Sequence, residues 1–265
     1  FYGMGRMASG IEIPIKGQDY YDIKDVPHGE IRMVRYYSAV LNLWRRLYVY
    51  TPSGYDQSGD NYPVLYLLHG GGEDERGWAT QGKTDLILDN LIAEKRAQPM
   101  LVVMVDGNTG TPGFSEQFLK SFEAELTKSI IPFVEKTFHT KTDSKSRALA
   151  GLSMGGLQTL YAGIYNPSLF SYLGVFSSGW LPNQKNISDR QYEYMKKNAP
   201  VINDKLTLWI AMGGKEDIAY ENCQLMLSKF KELNIKYTYQ EYPRGHTRPV
   251  WRNNLYMFAP LLFRQ

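Results

Sequence analysis

An α/β fold with a mostly parallel central sheet of about eight strands and helices on both faces is predicted by three observations. Short apolar runs alternate with helical patterns along the 265 residues, the first fifty or so residues contain an alternating hairpin pattern, and no repeat or linker divides the chain. One domain at the upper size of an α/β fold accounts for that length. Residues 1–30, rich in Gly, Tyr and Pro, read as an irregular N-terminal arm, and residues 31–265 as the domain. The chain begins at Phe1 with no charged-then-apolar leader, so further sequence upstream is expected.

The elements follow in order. Residues 31–51 (IRMVRYYSAVLNLWRRLYVYT) alternate β-branched, aromatic and polar residues and break near Ala39 to Asn42, which predicts two strands, a turn and an antiparallel edge. Four apolar runs read as buried parallel strands: VLYLLHG at 64–70, MLVVMVDG at 100–107, RALAGLS at 147–153 and YLGVFSS at 172–178. Helical patterns lie between them at 85–97 and 121–138. In the latter, Phe122, Leu126, Ile130, Val134 and Phe138 repeat at a spacing of four. A strand at 206–213 (LTLWIAMG), a helix near 220–233, a strand at 236–242 (KYTYQEY) and a helix from about Trp251 complete the series.

Composition removes several classes of function. With 43% hydrophobic and 22% charged residues the chain is not disordered, and no apolar run approaches the roughly 18 residues that cross a bilayer. Lys and Arg number 30 against 27 Asp and Glu, a formal charge of +3, and the basic residues are scattered along the sequence, so nucleic acid is not an expected partner. The single cysteine, Cys223, excludes an intrachain disulfide and a cysteine-based metal site and is expected to pack on a helix. Aromatics make up 14%, which suits sugars and aryl groups as well as cores.

In open α/β sheets ligands bind beyond the carboxyl ends of the strands. At one such end lies GLSMGG, 151–156, between a strand and a helical pattern, the context of a G-x-S-x-G nucleophile elbow with Ser153 at its apex. Gly151 and Gly155 let strand and helix approach closely enough to hold that turn. Serine attacks an acyl carbon only with a base to take its proton and donors for the oxyanion. LLHGGG at 67–72 supplies donors of the H-G-G-G type, the backbone N–H of Gly71 joined by that of Met154. Of four histidines, His69 lies inside that motif, where a structural bond is expected, and His28 and His139 are poorly placed. His246, in YPRGHT after the last strand, is the expected base. Its orienting acid should follow the preceding strand, where GGKED holds Glu216 and Asp217. Asp217 is favoured, with Glu216 a surface charge, and Asp106, which precedes the serine, is expected to order a loop.

The chain resembles carbohydrate esterase family 1, the feruloyl and acetyl-xylan esterases of the esterase D group of α/β hydrolases. The likeness rests on WRRLYVYTPSGYD (44–56), VLYLLHGGGEDERGW (64–78), GLSMGGLQTL (151–160), GGKED (213–217) and GHTRPVWRNNLYMFAPLLF (245–263). It implies the α/β-hydrolase fold and a serine ester hydrolase that releases ferulate from plant cell-wall polysaccharide such as arabinoxylan through an acyl-enzyme. No metal, nucleotide or other cofactor is called for, and a secreted or periplasmic bacterial setting is implied. Acetyl-xylan esterase, an acyltransferase of the same fold and a carbohydrate-binding pseudoenzyme are the alternatives. GMGRMASGIEIP resembles the join to an upstream carbohydrate-binding module. Trp78, Trp180 and Trp251 are expected at the substrate, and 179–205 is where this fold commonly inserts a lid. One departure stands out: members often carry Trp two residues after the histidine, where this chain has Arg248 followed by Pro249.

Overall fold

In a computed structural model the described residues are 2–3, 6–7, 12–13, 16–181 and 185–264. Eight strands form one sheet: β1 (Glu30–Ser38), β2 (Leu43–Thr51), β3 (Val64–Leu68), β4 (Leu101–Val105), β5 (Arg147–Leu152), β6 (Tyr172–Phe176), β7 (Thr207–Met212) and β8 (Thr238–Glu241). Their order across the sheet is β8-β7-β6-β5-β3-β4-β2-β1. Strands β3 to β8 run parallel, in register at Val64 with Leu101 and with Arg147. The hairpin β1–β2 turns at residues 39–42 and joins β4 antiparallel, Leu47 opposite Val105. This is the strand order of an α/β hydrolase, with the antiparallel edge where the sequence places it.

Both faces are covered. Val64, Tyr66 and Leu68 enter one hydrophobic core and Leu65 and Leu67 the other, because successive side chains on a strand point to opposite faces. All of β3 and β4 is buried, which is why those runs show no polar alternation.

The longer helices are α1 (Thr84–Ala93), α2 (Glu116–Glu125), α3 (Met154–Tyr165), α4 (Lys185–Lys205), α5 (Tyr220–Glu232) and α6 (Arg248–Phe258). Helix α2 starts five residues before the predicted 121, because the Ser115 hydroxyl accepts the Phe118 N–H at 3.1 Å and caps it. It continues through a π-helical turn, Leu126–Ile130, into Ile131–Thr137. That turn explains the spacing of four: in a pure α-helix such a row drifts by about 40° per step, and the wider turn returns it to the core. Phe122, Leu126, Ile130 and Val134 are all fully buried. The C-terminal helix likewise starts before Trp251, at Arg248, with Pro249 in its first turn, where proline is tolerated. Cys223 is buried in α5, as expected.

The 179–205 segment is largely helix α4 rather than loop, with Ile187, Gln191, Met195 and Ile202 on its buried side. Residues 16–29 have no helix or strand but are tied to the body. The Asn90 amide of α1 donates to the carbonyls of Tyr20 and Asp22 at 3.1 and 3.0 Å, and Tyr20 stacks on Tyr256. Most of the 3–14 segment that resembles a module join lies outside the described residues.

Candidate active site

Strand β5 ends in a turn that only this sequence pattern permits. Ser153 has φ 52° and ψ −113°, a conformation costing of order 1–3 kcal/mol. It is held by its own N–H, which donates to Phe176 O at 2.8 Å, and by its carbonyl, which accepts from the Ser178 hydroxyl at 2.8 Å. A Cβ on Gly151 would lie 2.4 Å from Gly155 O, and one on Gly155 would lie 2.6 Å from His69 O. Both glycines are therefore required, as the sequence suggests.

Strands β7 and β8, beyond β6, carry the other two predicted residues to the same edge. His246 Nδ1 lies 2.8 Å from Asp217 Oδ1, and Asp217 is almost fully buried. Burial alone would raise the Asp217 carboxyl, but its bonds to His246 and to the Ala219 N–H (2.9 Å) outweigh it and hold the group below the usual range. An ionised Asp217 fixes Nδ1 as the protonated nitrogen and leaves Nε2 free to accept. Glu216 is exposed, as predicted, and accepts the Arg244 N–H at 3.1 Å to shape the turn before His246. Among the described residues no hydrogen bond joins Ser153 to His246. Such bonds are often long before substrate binds.

Of the two candidate oxyanion donors, Met154 follows Ser153 in the elbow and Gly71 lies on the loop that faces it. The Gly155 N–H donates to His69 O at 3.1 Å, and a Cβ on Gly70 would stand 3.6 Å from Ser153 Cβ. Among the described residues neither the Gly71 nor the Met154 N–H has a protein acceptor. His69 is buried and structural. Gly107 N–H donates to its Nε2 at 3.0 Å, so Nδ1 carries the proton and donates to Gly70 O at 2.8 Å. Because the Gly70–Gly71 peptide is planar and trans, anchoring the carbonyl aims the Gly71 N–H the opposite way. Asp106 orders its loop through Asn108 N–H (2.9 Å) and pairs with the buried Arg45 at 3.2 Å. Burial would raise its carboxyl, yet the Arg45 guanidinium and the Asn108 N–H hold it below the usual carboxylate range.

Arg248 marks a link that the sequence does not reveal. Its guanidinium bonds Glu73 and lies 5.3 Å over the Trp251 ring, while Glu73 Oε2 accepts the Gly70 N–H at 3.2 Å. The residue two places after the candidate base is thus tied to the oxyanion loop. Adjacent acidic residues in GGGED carried no signal for which of them would be paired.

The three predicted tryptophans part company. Trp78 is a correction: it is 1% exposed, donates to Leu68 O at 2.9 Å and packs on Phe176, so it belongs to the core under β3. Trp251 is largely buried with its ring perpendicular to the His246 imidazole at 5.0 Å, which places it beside the candidate base. Trp180 lines a narrow slot of about 20 Å³ with Phe114, Leu157, Leu181 and Ile187. Phe114 also lies 3.8 Å from the Cβ position of Gly71, and Leu157 is one turn beyond Ser153, so the slot adjoins the elbow.

A family model described as putative esterase matches residues 38–260. The chain is 39% identical over 231 residues to an endo-1,4-beta-xylanase/feruloyl esterase of Xylanibacter ruminicola, covering 82% of this chain and 32% of that protein. It is 28% identical to endo-1,4-beta-xylanase Y of Acetivibrio thermocellus, covering 81% of this chain and 20% of that protein. The chain therefore spans a third or less of the length of these two curated relatives. A structure of a ferulic acid esterase from Anaeromyces mucronatus in complex with ferulic acid superposes with TM-score 0.81 and 25% identity, covering 95% of this chain and 98% of that one.

Two outcomes follow from the geometry. Arg248→Met and Glu73→Gln should each lower kcat on a small soluble ester on the order of 10- to 100-fold with KM little changed, since each loosens the oxyanion loop. The double variant should be no worse than either single one, and additive losses would show that the two residues act separately. Asp106, whose carboxyl is held below its ordinary 3.8 in the folded state, stabilises the fold fully above the ordinary value and loses that contribution as pH falls below it. In urea unfolding Asp106→Asn should be weaker than wild type at neutral pH, with the gap narrowing between about pH 4 and 2. A gap of constant size would refute the assignment.

Proposed function

Because the chain belongs to the esterase family, we propose that it is a serine carboxylester hydrolase that releases hydroxycinnamate, ferulate above all, from plant cell-wall polysaccharide such as arabinoxylan. The carrying observation is the strained Ser153 on the same sheet edge as the 2.8 Å Asp217–His246 pair, beside an apolar slot. In this reading His246 Nε2 takes the Ser153 proton as Oγ bonds the ester carbonyl carbon. Gly71 and Met154 N–H hold the oxyanion, and collapse expels the sugar alkoxide, which takes the proton from His246. Water then repeats the steps in reverse on the acyl-enzyme, releasing the acid and Ser153. The two xylanase-named relatives and the ferulate-bound structure support the substrate class. Further modules in a full-length protein and action outside the cytoplasm belong to this reading; the small share of the two xylanase-named relatives that this chain covers and their substrate class support it. Among the described residues no helix is long and apolar enough to cross a membrane.

The slot has room for about one water, so a cinnamoyl ring enters it only if the lining opens. That closure is the observation that favours the second reading, acetyl-xylan esterase. An aryl ring buried there gains roughly 25 cal/mol per Å² of area removed from water, a gain an acetyl group is too small to collect.

Ferulate and acetate released from one plant cell-wall digest decide between them. The expected result is higher kcat/KM on feruloylated fragments, and acetate without ferulate would reverse the choice. Ser153→Ala should cost on the order of 10⁶ in kcat. Asp217→Asn should cost on the order of 10⁴ while Glu216→Gln stays near normal, and the converse pattern would identify the other carboxylate as the orienting acid.

A further inference from the structure

Under the opposite edge of the sheet, where the parallel strands begin, lies a groove of about 1480 Å³. Tyr172, Ser146, Pro63 and Pro99 mark it at the starts of β6, β5, β3 and β4, four neighbouring strands. Three inter-strand steps of ~4.8 Å make it about 14 Å long.

Its charge is one-sided. Lys95, Arg96, Lys141, Lys145 and Arg264 line it against only Asp60 and Asp143, a surplus of three that equals the formal charge of the whole chain. The rest of the molecule is neutral in sum. These cations come from three separate segments, so the fold gathers what the sequence scatters. Lys95, Lys141, Lys145 and Arg264 enter no ion pair among the described residues. Arg96 is fixed by Glu94 at 3.3 Å and by the Tyr256 ring, over which it lies at 4.6 Å.

The groove also has an aromatic element. Tyr172 and Phe263 meet edge to face with centroids 5.4 Å apart, both partly exposed. Phe263 has φ 58°, an uncommon conformation for a bulky aromatic residue, and an outlier of this kind often marks a functional surface.

We propose that this groove is a second polysaccharide site that binds a glycan chain bearing uronate carboxylates. Single cations set among amides such as Asn61 and Gln98 match carboxylates that recur along a hydroxyl-rich polymer, and the rings offer a face to a pyranose. An acidic peptide offers the charges but no sugar face. Bound here, at the edge away from Ser153, the polymer keeps other ester-bearing stretches at high local concentration. The proposal rests on the reading of this chain as a polysaccharide esterase.

The test is affinity electrophoresis through gels containing glucuronoxylan, its carboxyl-reduced form or polyglutamate, with hydrolysis of methyl ferulate and aryl acetates measured on the same preparations. Wild type should be retarded by glucuronoxylan, far less by the carboxyl-reduced polymer, and not at all when salt is raised. The double variant Lys141→Glu/Lys145→Glu should lose affinity on the order of tenfold with small-ester hydrolysis unchanged. Equal retardation by both xylans, tighter binding to polyglutamate, no retardation, or an unaffected double variant would each overturn the proposal. Retardation by glucuronoxylan without turnover of any ester would instead overturn the catalytic reading and leave the groove in place.

Discussion

The close approach of helix α3 to strands β3 and β5 is the constraint on which the candidate site depends. Three backbone segments meet there at distances that leave no room for a side chain. Gly155 N–H bonds His69 O at 3.1 Å, while Gly151 and Gly155 stand where any Cβ would enter another residue's backbone. That contact holds Ser153 in its strained conformation and sets the oxyanion loop against it. Without it the elbow would relax by the strain it stores, and the Gly71 and Met154 N–H groups proposed to hold the oxyanion would no longer be set against one another.

Around this contact the charged groups work as ties between loops. Arg45, almost fully buried, donates to the carbonyls of Asp106 and Asn108 at 2.9 and 2.6 Å and also pairs with Glu125, which accepts from Tyr36 and Ser38. It thereby binds the antiparallel edge and helix α2 to the end of β4. His69 carries that anchorage to Gly70, and Glu73 carries it on to Arg248 and the loop of His246. Buried ion pairs of this kind add little net stability but penalise any other arrangement of the loops they join.

How much of this is legible in the sequence varies with the kind of signal. The eight strands and the elbow are, because burial on both faces leaves continuous apolar runs and because the glycines at 151 and 155 have a steric reason to be there. Asp217 and His246 are legible through chain order and strand ends, and the 2.8 Å bond agrees with that choice. Helix bounds are less so: the cap at Ser115 and the π turn at Leu126–Ile130 are local hydrogen-bond events that a row of apolar residues does not encode. Tryptophan roles are the least legible. Trp78 and Trp180 both follow strand ends and both are buried in the core, but Trp180 also borders the slot while Trp78 packs wholly under β3. The Glu73–Arg248 bond and the basic groove join residues far apart in the chain, and no local pattern records them.

The most direct measurement is the site and rate of covalent labelling by a fluorophosphonate, followed by intact mass and peptide mapping, in wild type and Gly155→Ala. The account predicts a single adduct, on Ser153, and a Gly155→Ala protein that stays folded yet labels slower by orders of magnitude because its added methyl meets His69 O. An adduct on another residue, or labelling of Gly155→Ala at the wild-type rate, would contradict it.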